Sequence, residues 1–415
     1  MRNLAVIGLG YIGLPTAVVL AQNGWNVVGV DVTQRAVDAV NAGRLHFVEE
    51  GLEDALAEVV GRGALRAQTE TPHADVYIVA VPTPFKGDHE ADLSYIDSAA
   101  DAIAPQLVGD ELVILESTSP PGATAHMAQR ILGLRADLSL DGSDGRPVVH
   151  FAHAPERVLP GRIMIEMVSN DRIVGGLTQV ATDKAVEVYK SFCEGEVHTT
   201  NARTAELAKL TENSYRDVNI AFANELSLIA DNLDIDVWEL IQLANKHPRV
   251  NILQPGPGVG GHCIAVDPWF IVAADRGNAN LIRTAREVND GKPAYVVGKI
   301  GQAVAEAPQD SSIVVLGLSF KPDIDDLRES PALGIAVTVG KQYPSRRVVV
   351  VEPNIDALPP VLAELGNVEL VSLEQAGEGA GVVALLVDHT PFRSADWDAL
   401  GLGEAAWVDT RGVRR

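Results

Sequence analysis

Cys263 stands in the run GVGGHCIAVD, Gly258 to Asp267, behind three glycines and a histidine. Glycines strip away side-chain cover and let the backbone approach a ligand closely, so this thiol reads as open to a reactant. The other reading is a small buried hydrophobe, the usual fate of a free cysteine. Reactivity requires the thiolate, and a free thiol ionises near pH ~8.5 unless a neighbouring cation lowers that value. His262 or Lys209 can supply such a field. Asp267, four residues on, can handle protons for a water molecule together with Lys209. It can equally be a turn aspartate ahead of Pro268. A zinc site needs more ligands than His262 and Cys263, and no second cluster is present, so no metal is expected.

A second constellation lies upstream. Lys209 and Asn213 are four residues apart and share a helix face, with Glu206 and Arg216 near them. A polar stripe of this kind is either a solvated surface or a lysine and an amide aimed into a site. In the second case both can stabilise an oxyanion or hold a water.

A third pattern opens the chain. Gly8-Leu9-Gly10-Tyr11-Ile12-Gly13 is GxGxxG between a strand and a helix, and Asp31 ends the next strand. In a dinucleotide site the first glycine makes the tight turn and the second admits the pyrophosphate. The third packs helix on strand, and the acidic residue binds the ribose hydroxyls. Phosphate then faces the helix N-terminus. Asp31 repels a 2′-phosphate, so NAD is expected rather than NADP. Tyr11, Ile12 and Arg35 join Gly8, Gly10, Gly13 and Asp31 as expected cofactor-binding residues. The loops after the third and fourth predicted strands, with Val81, Thr83, Pro84, Ser117 and Thr118, are expected to line the cofactor and the reacting carbon, because ligands bind beyond the carboxyl ends of such strands. The same prolines and serines are also ordinary turn residues. NAD accepts one hydride, and a thiol can hold an aldehyde for a second oxidation. The pair points to oxidation of an alcohol or aldehyde to an acid.

Composition sets the frame. The chain has 415 residues, more than one ordinary core holds. Its net charge of −23 opposes binding to nucleic acid or to anionic membranes. An anionic substrate must therefore be held by local Arg, Lys and helix N-termini. The two cysteines, Cys193 and Cys263, give no disulfide framework. No apolar run of about 18 residues is present, and the opening residues show no signal-peptide pattern. A soluble cytoplasmic protein is expected.

Strand-like apolar runs are expected at 4–8, 25–31, 76–81, 112–116, 148–152 and 172–174, separated by helical segments. Runs apolar on both faces belong to a parallel sheet covered on both sides. From 204 to 243 the pattern is helical, and again at 280–307. Alternation resumes at 312–317, 347–352, 381–387 and 406–409. The expected fold is α/β: two doubly wound Rossmann-like domains joined by a helical central dimerisation domain. The expected division is 1–200 for NAD, 201–308 for the helical part with the thiol loop, and 309–415 for a second Rossmann-like domain.

Seven segments, VIGLGYIGLP, VPTPFKGDHE, ILESTSPPG, APERVLPG, LTENSYRDVNIAFANELS, PGPGVGGHCIAVDPWFIV and GLSFKPDIDDLRESP, together resemble the UDP-glucose/GDP-mannose dehydrogenase family of UDP-sugar 6-dehydrogenases. The resemblance spans nearly the whole chain. It implies that the sugar C6 alcohol is oxidised twice, with two NAD, through a thiohemiacetal and a thioester on Cys263. It implies that Lys209 and Asn213 stabilise the oxyanion and position water, that Asp267 activates water, that Glu156 serves thioester hydrolysis and that Thr118 lies near the water. It also implies that Glu156, Arg157, Lys209, Asn213, Arg249, Gly260, Phe320 and Lys321 contact substrate, Arg249 across a homodimer, and that Arg328 lies near the cofactor. The last domain would hold UDP. UDP-N-acetyl-D-mannosamine is the implied sugar nucleotide, its uronate serving surface polysaccharides, with UDP-N-acetylglucosamine or UDP-glucose as alternatives. Glucose-specific members usually read Cys-Phe-x-Lys-Asp, whereas Cys263 to Asp267 reads Cys-Ile-Ala-Val-Asp. Gln254 also stands where those members tend to carry lysine. Two rivals remain: a two-electron hydroxyacid dehydrogenase, which needs no thiol, and an NAD-binding regulator without turnover, which would not require Cys263 or Lys209.

Overall fold

The computed structural model describes residues 3–47, 49–87, 89–159, 161–261 and 264–414. It forms two compact units, Met1–Glu212 and Asn213–Arg415.

The first unit begins β1 (Asn3–Ile7), α1 (Gly13–Gln22), β2 (Asn26–Val30), α2 (Gln34–Asn41), α3 (Leu52–Gly61), β3 (Leu65–Gln68) and β4 (Val76–Val79). A small hairpin, β5 (Phe85–Lys86) and β6 (Glu90–Ala91), precedes α4 (Ser94–Ile103) and β7 (Leu112–Leu115). Then come α5 (Ala123–Leu134), β8 (His150–His153), α6 (Ile163–Ser169), β9 (Arg172–Gly176), α7 (Gln179–Tyr189) and β10 (Val197–Asn201). The large sheet has the order β10-β9-β8-β7-β4-β1-β2-β3. The chain reverses its winding beside β1, between β2 and β4, which is where an open α/β sheet leaves a crevice for a ligand.

Alternate residues of the central strands feed two cores. Leu4, Val6, Val27, Ile78 and Ile114 face one layer of helices. Ala5, Ile7, Val28, Tyr77, Val79 and Val113 face the other. Burial on both faces explains the unbroken apolar runs in the sequence. The sheet is not wholly parallel, as the sequence suggested. β9 pairs with β8 antiparallel, and β10 follows β9. β3 and β10, which read LRAQ and VHTTN, escape sequence reading because they are edge strands with polar faces.

Helix α8 (Ala202–Asn232) runs 31 residues, and the division between the units falls within it. Its carboxylate Glu206 accepts hydrogen bonds from Gly122 N at 2.5 Å, Thr124 N at 2.8 Å and Thr124 Oγ1 at 2.7 Å. This buried side chain caps α5, which has no cap of its own, and offsets the cost of burying a charge.

The second unit continues with α9 (Val237–Ala244), α10 (Asp267–Ala274) and α11 (Asn280–Glu306). A second α/β run follows: β11 (Ser312–Leu316), α12 (Pro331–Gln342), β12 (Val348–Val351), α13 (Pro360–Ala363), β13 (Val368–Leu370), β14 (Ala380–Leu385), α14 (Thr390–Arg393) and β15 (Ala406–Asp409). Its sheet is parallel throughout, in the order β13-β12-β11-β14-β15. Ser330 Oγ accepts from Leu333 N and Pro331 takes the first helical position, which fixes the start of α12. Among the described residues no helix is long and apolar enough to cross a membrane.

Candidate active site

In the first unit the glycine fingerprint joins β1 to α1. A Cβ on Gly13 would lie 1.9 Å from Gly8 O, and one on Gly8 would lie 2.6 Å from Ala80 O. A Cβ on Gly10 would meet nothing within 4 Å. Two glycines are therefore demanded by the protein itself, and the third leaves open space where a pyrophosphate needs it. The residues present fit a dinucleotide. We expect Gly13→Ala to destabilise the protein by about 2–4 kcal/mol. Gly10→Ala should melt as the parent does but weaken NAD by about tenfold or more, roughly 1.4 kcal/mol. Thermal melts beside NAD titrations check the pair.

Asp31 closes the same turn. Its Oδ2 accepts from Leu9 N at 3.0 Å and its Oδ1 from Thr33 N at 2.9 Å. Arg35 is exposed on the first turn of α2 and Ile12 is half-buried. Tyr11 is tied to protein: its hydroxyl donates to Glu49 Oε2 at 3.0 Å and its ring packs on Phe47. Glu49 also accepts from Gly161 N and Ile163 N, a bracket that sequence reading missed.

The loops after β4 and β7 are stitched together. Thr83 Oγ1 donates to Thr118 O at 2.6 Å, and Ser117 Oγ donates to Val81 O at 2.7 Å. The structure thus brings Val81, Thr83, Ser117 and Thr118 together, with Pro84 exposed beside them.

Glu156, beyond the end of β8, is buried and held at both oxygens. Arg172 Nη2 donates to Oε2 at 2.8 Å, and Arg157 N donates to Oε1 at 2.7 Å. Arg157 pairs with Glu212 at 2.7 Å. Glu116, at the end of β7, accepts from Thr16 Oγ1 at 2.9 Å and Tyr189 OH at 3.1 Å. Burial pushes Glu116 up to about 7; repulsion from Glu156 adds to the rise and Arg172 opposes it. The ordinary value is 4.5, so between pH 4.5 and about 7 the folded chain keeps a proton that the unfolded chain has lost. The stability linked to that proton is full below pH 4.5 and disappears as the pH rises through 7. Glu116→Gln has no such proton. We expect the unfolding free energy of the parent, relative to that variant, to fall by about 3 kcal/mol from pH 4.5 to 8. Urea unfolding across that range checks it.

In the second unit Asn213 Nδ2 donates to Asp267 Oδ2 at 2.5 Å, and both side chains are buried. Asp267 opens α10 and Asn213 lies on α8. Lys209, one turn before Asn213, is half-buried, and its ammonium has no hydrogen bond or ion pair among the described residues. Cys263 and His262 lie outside the described residues. The glycines before them are packed against protein. A Cβ on Gly260 would lie 2.5 Å from Glu329 O and 2.9 Å from Phe320 Cβ, and one on Gly261 would lie 3.1 Å from the Phe320 ring. The loop is bare because Phe320 and Pro331 occupy the space that its side chains would fill.

Phe320 and Lys321 follow β11 in a loop with buried support. Glu352 accepts from Leu318 N at 2.7 Å and Ser319 N at 3.1 Å. His389 Nδ1 accepts from Asp323 N at 2.9 Å, which leaves Nε2 to donate to Glu352 at 2.9 Å. Arg328 is exposed and grips Asp326 with its own fork. Arg249 is exposed after α9. Sequence reading missed Glu49, Glu116, Arg172, Glu352 and His389 as supports. The available signal was a carboxylate closing an apolar strand run, as in LVILE and VVVVE.

Three domains of one family match along the chain: the NAD binding domain of the UDP-glucose/GDP-mannose dehydrogenase family over residues 2–193, its central domain over 203–291 and its UDP binding domain over 314–415. A UDP-N-acetyl-D-mannosamine dehydrogenase of Salmonella typhi is 54% identical over 421 residues, covering 100% of this chain and 99% of its own. An NDP-N-acetyl-D-galactosaminuronic acid dehydrogenase of Ralstonia nicotianae is 54% identical over 413 residues, 99% and 96% of the two chains. A UDP-D-ManNAc dehydrogenase structure from Pyrococcus horikoshii superposes with a TM-score of 0.86 at 38% identity, covering 100% and 96%. With a glycine turn fit for a dinucleotide, two α/β sheets and this full-length likeness, the chain belongs to the UDP-glucose/GDP-mannose dehydrogenase family and is an NAD-dependent nucleotide-sugar oxidoreductase.

Proposed function

We propose that the chain is a UDP-N-acetyl-D-mannosamine 6-dehydrogenase that carries the sugar C6 alcohol through to the uronate. The observation that carries the reading is the hydrogen bond between Asn213 and Asp267, which unites the LTEN helix with the aspartate of the thiol loop. Both relatives at 54% identity bear names of N-acetylhexosamine-type substrates, which supports that sugar class over plain glucose.

Gly8, Gly10, Gly13 and Asp31 would hold NAD, with Tyr11, Ile12, Arg35, Val81, Thr83, Pro84, Ser117 and Thr118 around it and Arg328 near it. Bound NAD supplies a hydride acceptor, used twice. The Cys263 thiolate adds to the aldehyde carbonyl carbon, and the resulting thiohemiacetal is oxidised to a thioester. Lys209 supplies the positive charge that steadies the oxyanion, a task suited to an ammonium with no hydrogen bond or ion pair among the described residues. Asn213 holds water, and Asp267 with Glu156 takes its proton. Arg157, Arg249, Gly260, Phe320 and Lys321 would contact the sugar nucleotide. We read 1–200 as the NAD part, 201–308 as the helical part and 309–415 as the UDP part. Leu207, Tyr215, Phe222 and Ile229 are exposed along α8 and support a homodimer through that helix. A cytoplasmic site of action and a role in surface polysaccharide synthesis go with this substrate.

The test is the NADH yield from limiting UDP-N-acetylmannosamine, with UDP-N-acetylglucosamine and UDP-glucose alongside. Two NADH per molecule from the first sugar alone is the expected result. Two from another sugar corrects the substrate, and one NADH overturns the thioester chemistry.

A further inference from the structure

Behind Glu156 lies a second carboxylate that shares its counter-ion. Arg172, the first residue of β9, places Nη2 2.8 Å from Glu156 Oε2 and Nη1 3.9 Å from Glu116 Oε1. Its guanidinium also donates to Met167 O at 3.2 Å and lies 4.8 Å above the Tyr189 ring and 5.2 Å from the Phe192 ring centroid. Glu116, Glu156, Arg172, Thr16 and Tyr189 are all buried. A buried ion pair is a poor way to gain stability, because desolvation consumes most of its attraction. Two carboxylates on one guanidinium are worse still. The arrangement does supply a fixed carboxylate at the carboxyl end of β8, where such sheets present their ligands.

We propose that Arg172 is the positioning residue for the hydrolytic half of the reaction: it fixes the Glu156 carboxylate so that Glu156 takes the proton from the water that cleaves the thioester, and Glu116 tunes it by competing for the same guanidinium. The proposal rests on Glu156 serving hydrolysis. In that step the water oxygen adds to the thioester carbonyl carbon and its proton passes to Glu156. The carbon–sulfur bond then breaks, its electron pair stays on Cys263, and the proton returns to the products. Thioester and water give carboxylic acid and thiol with no change in oxidation state. The titratable groups facing Glu156 among the described residues are Arg172 on β9, Glu116 just after β7 and Tyr189 on α7.

The test is rapid-quench kinetics on the full chain with NAD and UDP-N-acetylmannosamine, or whichever sugar nucleotide turns over. Arg172→Gln should release two NADH per site in a burst and then turn over about 10- to 100-fold more slowly. The intact-protein mass should show the sugar thioester, KM should fall along with kcat because the thioester accumulates, kcat/KM should change little, and Arg172→Lys should recover part of the rate. Equal slowing of both NADH phases with no adduct overturns the proposal. If Arg172→Gln does not fold, Glu116→Gln decides: Glu116 ionises and begins to compete for the guanidinium as the pH rises through about 7, so the inflection it puts on the kcat profile there should disappear in the variant, and a profile unchanged through that range overturns the proposal. Glu156→Gln separates the two layers. If it accumulates no thioester, the reading of Glu156 fails. If it does and Arg172→Gln does not, only the proposal for Arg172 fails.

Discussion

Cys263→Ala abolishes uronate formation, lowering turnover by on the order of 10⁴-fold or more, while NAD binds as in the parent. Loss of a covalent nucleophile removes the path, and the remaining groups can only bind and polarise. The NAD fingerprint does not share residues with the thiol loop. Gly8, Gly10 and Gly13 belong to the first unit, whereas the loop is packed on Phe320 and Pro331 in the second. The glycines ahead of Cys263 are held by Glu329 O, Phe320 and Pro331 whatever residue follows. The variant should therefore melt close to the parent. The measurement is NADH release together with NAD affinity. Continued uronate production by the alanine variant would sink the thioester mechanism. Lost NAD affinity would show that the substitution disturbed the fold.

Much of this was legible in the sequence, for physical reasons that differ from place to place. The central strands were readable because burial on both faces leaves no room for polar residues, as in LAVI, VYIV, LVIL and VVVV. The glycine turn was readable because Gly13 and Gly8 sit against backbone oxygens, so no other residue fits. Edge strands were not, because LRAQ buries only two of its four residues and VHTTN buries none fully. The reversal at β9 left no local trace, since pairing direction depends on the chain's route and not on residue type. The polar supports were hidden for another reason. Glu116 is buried by Thr16, Tyr189 and Arg172, residues 100, 73 and 56 positions away, the first two reached by hydrogen bonds. A carboxylate ending a strand announces that it needs partners, but the sequence does not say which. The thiol loop shows the converse. Its glycines were read as room for a ligand, and the structure shows that Phe320 and Pro331 already fill most of that room.

Asp267→Asn is the second large loss, with kcat reduced on the order of 10³-fold and KM changed by no more than a fewfold. Asp267 is 3% exposed and accepts from Asn213 Nδ2 at 2.5 Å. A carboxylate so enclosed keeps its place through charge-assisted hydrogen bonds, which are shorter and about twice as strong as neutral ones. An asparagine has nearly the same shape. It can still accept from Asn213 through its carbonyl, so the start of α10 should hold and the melting temperature should fall by only a few degrees. What it cannot do is take a proton. If Asp267 manages the proton of the attacking water, its loss removes one limb of the pH–rate profile along with the rate. Asn213→Ala makes the complementary test. It leaves the Asp267 carboxylate without the amide that aims it and should lower kcat without deleting the limb. A variant Asp267→Asn that keeps both limbs and most of its turnover would reduce the aspartate to a helix-start residue ahead of Pro268.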